Sequence, residues 1–167
     1  MDNYIKLKEK KDVFKLGIID ENGDIVRDIN GNEVCLEFDL ADIKLPLRYN
    51  QCVNDIKKAK INLKNQMVII DKKQDRQRKN CLSINEELKA KAIEKFFYDT
   101  EKAMDLFLGK GGTKKFLNGR NPYWEMFDDL SEAIEPYMDK MKLSVNDMTN
   151  RIKEKYKIKE SDILRNE

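Results

Sequence analysis

The chain contains no histidine, and only three cysteines, three prolines and one tryptophan among its 167 residues. Without imidazole it lacks the usual proton shuttle near neutral pH and the commonest metal ligand, which excludes histidine-dependent catalysis and His-ligated zinc. Cys35, Cys52 and Cys81 are odd in number and far apart, with no C-x-x-C pair. They read as small buried or half-buried thiols rather than a disulfide framework or a metal cluster. No stretch approaches the roughly 18 apolar residues that a membrane span needs, and Met1 to Leu7 lacks the apolar run of a secretory signal, so a cytosolic protein is expected. Charge of one sign is also missing, because 33 Lys and Arg stand against 31 Asp and Glu. The formal charge of +2 removes the electrostatic footprint that a phosphate-backbone partner demands.

What is present is a heavily charged surface, at 38% of residues, around a set of apolar periodicities. Val13 to Ile19 is rich in strand formers and runs into the Asn22-Gly23 turn; Ile25-Val26-Arg27 reads as a return strand, and Asn30-Gly31 introduces Val34 to Phe38. This predicts a small three-stranded antiparallel meander that needs a partner on its apolar face. Asp20, Asn22, Asp24 and again Asp28, Asn30, Asn32 alternate oxygen atoms, but Gly23 and Gly31 fall fourth rather than sixth in each series, so hairpin turns are read in place of EF-hand calcium loops. No internal repeat is read. Residues 1–11, lysine-rich with Tyr4, Ile5 and Leu7 interleaved, suit a leader or an edge strand.

The remainder is helical in pattern. A helix is expected close behind Pro46, carrying Cys52, Val53, Ile56, Ala59, Leu63, Met67 and Ile70 at helical spacing, and the polar run Asp71 to Asn80 is either its solvated end or a loop. Ser83-Ile84-Asn85-Glu86 has capping-box spacing, so a long helix starts near Ile84, and Gly109 ends it. The glycines Gly109, Gly111, Gly112 and Gly119 then form a hinge, with a short turn over Thr113 to Leu117. The run is not a Walker loop, since its lysine precedes the paired glycines and it follows a helix. Asn121-Pro122 predicts the start of the next helix, which Pro136 should kink or break, and Ser144 should cap a last one. The expected class is α+β, with residues 1–45 a β-meander region, 46–157 a helical domain and 158–167 a frayed tail.

Chemistry is sparse in this pattern. Asp128, Asp129, Glu132 and Glu135 read as solvated helix charge rather than an acid–base pair, and neither a G-x-S-x-G nor a Rossmann glycine motif occurs. No enzymatic activity, metal or other cofactor is expected, and binding is favoured over catalysis. Lys72, Lys73, Arg76, Arg78 and Lys79 come mixed with Asp71 and Asp75 and lack an aromatic for stacking, so nucleic acid is the weaker alternative.

The order of elements, the segment Glu37-Phe38-Asp39-Leu40, the proline-led Ile43-Lys44-Leu45-Pro46-Leu47, and above all Phe107-Leu108-Gly109-Lys110-Gly111-Gly112-Thr113-Lys114-Lys115-Phe116-Leu117-Asn118-Gly119 before an aromatic helix, resemble the tail assembly chaperones of long-tailed bacteriophages and prophages of Gram-positive hosts. The resemblance implies a non-enzymatic chaperone in the host bacterial cytoplasm, absent from the mature virion, that keeps the tape measure protein soluble until tail tube protein replaces it. Self-association into a homo-oligomer is compatible with it. An accessible groove for an amphipathic helix suits flexible methionines and aromatics, and Met104, Phe107, Phe116, Tyr123, Trp124, Met126, Phe127, Met138 and Met141 are the candidates to line it. The competing reading puts the same side chains in the core. A tail or head-tail structural subunit is the alternative function.

Overall fold

The computed structural model describes residues 12–156. Among them the chain is α+β, with strands β1 (Val13–Gly17) and β2 (Cys35–Asp39) followed by helices α1 (Lys44–Asp71), α2 (Ile84–Leu108), α3 (Gly112–Leu117) and α4 (Met126–Tyr156). The expectations for residues 1–11 and for the 158–167 tail lie outside the described residues.

The expected hairpin turns are present, but the strand pairing differs from a side-by-side meander. β1 pairs directly with β2 in antiparallel register, Val13 opposite Asp39 and Gly17 opposite Cys35. The segment read as the return strand makes only single bridges, Ile19 with Ile25 and Arg27 with Glu33. Its backbone instead closes a ring. The amide of Ile18 donates to the Val34 carbonyl (3.1 Å), that of Val34 to Val26 (2.9 Å) and that of Val26 to Ile18 (2.9 Å). Ile18, Val26 and Val34 are eight residues apart, and the two intervening turns are built alike. In each, an aspartate Oδ1 accepts two amides, Asp20 from Asn22 and Asp24, Asp28 from Asn30 and Asn32. Each closes on a glycine at positive φ, Gly23 at 85° and Gly31 at 81°. A type I turn followed by a left-handed glycine forms such a bulged hairpin. The chain therefore does carry a short repeat, contrary to expectation, and it turns Ile18, Val26 and Val34 into the core together.

Helix α1 begins two residues ahead of Pro46, which occupies the first turn, where its missing amide does no harm. Just ahead of it, Asp42 accepts the Lys44 amide at 2.9 Å and pairs with Arg48 Nη2 at 2.8 Å. Polar residues after Asp71 form a loop, tied down where Asp75 Oδ1 accepts the Asn85 amide (3.0 Å) and the Asn85 side chain donates to the carbonyls of Ile70 and Lys73. Helix α2 starts at Ile84 on the expected capping box, with both reciprocal bonds between Ser83 and Glu86 formed. It packs along α1 as an antiparallel pair.

Helix α4 starts at Met126, four residues later than the Asn121-Pro122 signal suggested, and then runs without a break through Pro136 and Ser144. Pro136 sits on the exposed face, where water can satisfy the carbonyl it leaves unpaired. Rings join the layers. Phe14 stacks on Phe38 (5.0 Å between centroids) and on Tyr137 (3.9 Å), Phe38 on Phe107 (5.2 Å), and Tyr49 meets Phe107 edge-on (5.2 Å). One hydrophobic cluster thus includes both the β region and the helices.

Truncating Phe107, 2% exposed at the centre of this ring array, removes contacts to the sheet and to α1 at once. Phe107→Ala is expected to lower unfolding stability by about 3–5 kcal/mol in urea titration. A loss below about 1 kcal/mol would show that the ring array is not what couples the layers.

Candidate partner-binding surface

The connection between α2 and α4 is organised by a residue that periodicity does not single out. Asp105, one turn from the end of α2, accepts the Gly111 amide with Oδ2 (3.1 Å) and the Thr113 amide with Oδ1 (2.8 Å), while Thr113 Oγ1 donates to the Glu101 carbonyl (3.1 Å). These bonds cap α3 from a neighbouring helix and fix the angle at which it leaves α2. Burial alone would raise the Asp105 carboxyl, but the bonds from Thr113 and Gly111 and the charge of Lys114 outweigh it and hold the group below the ordinary aspartate value. The hinge glycines divide accordingly. Gly109, Gly111 and Gly119 take positive φ, whereas Gly112 is helical and buried, and a Cβ there would lie 2.3 Å from Leu108 Cβ.

The candidate groove residues do not come together on one surface. Met104, Phe107, Met126, Phe127 and Met141 are buried in the shared core, none more than 8% exposed, so in this conformation they support the fold and line no open groove. Phe116 and Met138 are half-buried against that core. Tyr123 and Trp124 are exposed, at 37% and 48%. Trp124 lies on Phe96 (4.9 Å between centroids) with Lys60 Nζ 5.6 Å from its ring, and Tyr123 Oη donates to Asp129 Oδ2 at 2.6 Å. Burial and the Asp129 carboxylate both raise the Tyr123 hydroxyl, which stays protonated. Burial likewise pushes the Cys52 thiol up to about 12, so it offers no nucleophile at neutral pH.

An exposed apolar stripe runs instead along the second half of α4. Leu130, Ile134 and Met141 are buried, and Val145, Met148 and Ile152 continue the same face at four- and three-residue spacing. Beyond Met141 no residue of the helix is buried, and Leu143, Met148, Ile152 and Tyr156 are 60%, 45%, 44% and 65% exposed. At the root of this arm a mainly apolar trough of about 600 Å³ runs between Ile43, Pro46 and Leu47 of the α1 entry and Val145 of α4. At 100° per residue, Arg151 and Lys155 border the apolar stripe on one side and Lys142 and Lys153 on the other. The separate last helix expected behind a Ser144 cap is instead the continuation of α4.

Around the α1–α2 loop, Arg78 pairs with Glu87 and Lys89 with Asp71, both at 2.6 Å, and Asp75 is spent on the backbone. No group of three or more His, Cys, Asp or Glu that could hold a metal occurs among the described residues, and no helix among them is long and apolar enough to cross a membrane. No family model, curated protein or solved structure matches the chain.

Replacing Asp105 with Ala should cost about 1–2 kcal/mol, as loss of a helix cap does, with the change in protection confined to the 105–119 connection in amide exchange. Because folding holds this carboxyl below its ordinary value, its stabilising share is complete above about pH 4 and disappears as pH falls through the lower folded value. The Asp105→Ala chain should therefore show a weaker acid destabilisation than the parent; an unchanged acid profile would contradict the capping role.

Proposed function

We propose that this chain is a non-catalytic binding protein for an amphipathic helix, seated along the open stripe of α4 and the trough at its root. The single observation that carries the reading is the change in the α4 apolar face beyond Met141, from a face covered by α1 and the sheet to one half-buried at Val145 and exposed at Met148 and Ile152. Apolar helix surface of this kind is costly to leave in water and is the usual seat for a partner helix read at i, i+3, i+4 and i+7. Met148 adds an adaptable side chain that fits more than one partner sequence. The flanking cations favour a partner helix with carboxylates beside its apolar stripe.

The resemblance of the Phe107 to Gly119 connection to tail assembly chaperones supplies the identity of that partner: the tape measure protein of a long-tailed phage. On this reading the chain works in the host cytoplasm before tail assembly, hands its client to tail tube protein, and is left out of the virion. The proposed seat is built from Leu47, Val145, Met148 and Ile152, with Trp124 and Tyr123 on a separate exposed patch.

Co-expression tests this directly. The parent chain should keep a tape measure fragment in the soluble fraction, and Val145→Asp with Met148→Asp should abolish that while leaving the helical circular dichroism signal in place, because both positions lie beyond the packed core. Trp124→Ala should change client solubility little. A double variant that solubilises the client as well as the parent, or recovery of the chain from purified particles, would overturn the proposal.

A further inference from the structure

Helix α4 is electrically divided. Residues 126–139 carry Asp128, Asp129, Glu132, Glu135 and Asp139 and no cation, whereas residues 140–156 carry Lys140, Lys142, Arg151, Lys153 and Lys155 against Asp147 and Glu154. The acidic half is not merely a charged face. Asp128, Glu132, Glu135 and Asp139 wall an open cleft of about 590 Å³ beside α1, with Met138, Tyr49 and, at one end, Lys142 in its lining and Tyr49 Oη held to Ser131 Oγ at 2.7 Å. Lys60 partly engages Asp128 and Lys142 partly engages Asp139, at 3.6 and 3.5 Å. Glu132 and Glu135 make no ion pair among the described residues, and neither do Arg151 and Lys153.

Among the described residues these two sets do not satisfy each other within one copy. Glu135 and Arg151 are separated by sixteen residues of continuous helix, which at 1.5 Å per residue is about 24 Å. Charge patterns of opposite sign on one continuous helix are complementary between copies. We propose that the chain self-associates by laying the basic arm of α4, residues 142–156, into the acidic cleft of a second copy. Val145, Met148 and Ile152 then cover Met138 and Tyr49 of the other copy, and Arg151, Lys153 and Lys155 meet its Asp128, Glu132 and Glu135. Desolvation of the apolar stripe supplies the attraction, and the charges set the orientation and suppress arm-to-arm pairing, where cations would face cations. The inference does not depend on the identity of the proposed client, but it does imply that client and second copy compete for one stripe.

Sedimentation equilibrium of the full chain tests this without any client. At low salt the weight-average mass should rise with concentration above the 19.7 kDa of one chain, and high salt should make that rise smaller, since the exposed charges that favour this pairing are screened. Glu132→Lys with Glu135→Lys, and separately Arg151→Glu with Lys153→Glu, should each weaken association at least about tenfold. An equimolar mixture of the two variants should restore association, because each then offers the half the other has lost. A parent chain that stays at 19.7 kDa at low salt across the micromolar range would overturn the proposal. So would charge-reversed chains that associate as tightly as the parent, or a mixture that stays as weak as its components. Loss of client binding with self-association intact, or the reverse, separates this inference from the proposed function.

Discussion

The structure depends on one run of rings. Tyr137 of α4 stacks on Phe14, Phe14 on Phe38 across the two strands, and Phe38 on Phe107 near the end of α2, where Tyr49 of α1 closes edge-on. Every layer has one member in the series, so the sheet, the helical pair and α4 are held by the same contacts. A two-stranded sheet is marginal alone, and the helices present one-sided apolar faces that need covering. Each makes the other stable. The eight-residue repeat serves this arrangement by turning Ile18, Val26 and Val34 inward together against the same cluster.

From that constraint follows the shape of the binding surface. The ring series and the α2–α3 connection, whose angle is set by the Asp105 carboxylate bonds to Gly111 and Thr113, fix where α4 meets the core. The helix is longer than the core it packs on. Met141 is its last buried residue, and the fifteen residues beyond it keep the amphipathic pattern, half-buried at Ser144 and Val145 and exposed from Asn146 to Tyr156. An isolated arm of that length is marginal in water. Such an arm gains order and loses exposed apolar surface on binding, which links its weakness as a folded element to its use as a contact.

Much of the helical scaffold was legible in the sequence. The capping box at Ser83 and the stop at Gly109 set the ends of α2 within its 25 residues, whereas the cap signals at Asn121 and Ser144 gave way to the packing of α4. What was not legible depended on partners distant in the chain. Asp105 looks like any solvent-facing acid until the glycine turn brings two amides onto it. The aromatic and methionine candidates split between core and surface because composition says which side chains prefer burial but not which neighbour arrives to bury them. Pro136 reads as a kink or a break, yet the helix runs on past it, with the proline on the exposed face and the rest of α4 up to Met141 held by the core. The hairpin turns were recognised singly, while the period of eight that joins Asp20 to Asp28 was overlooked, although D-x-N-G-[DN] repeated at that interval was the signal.

Helix α4 is one helix in two conditions, packed on the core up to Met141 and open to water from Asn146 on. Amide hydrogen exchange read residue by residue along α4 tests this most directly. Slow exchange is expected over residues 130–141, comparable to the paired stretch of α2, and fast exchange over 145–155 in dilute protein, slowing as concentration rises. Uniform protection along the whole helix in dilute solution, or an arm whose exchange is insensitive to concentration, would contradict the account.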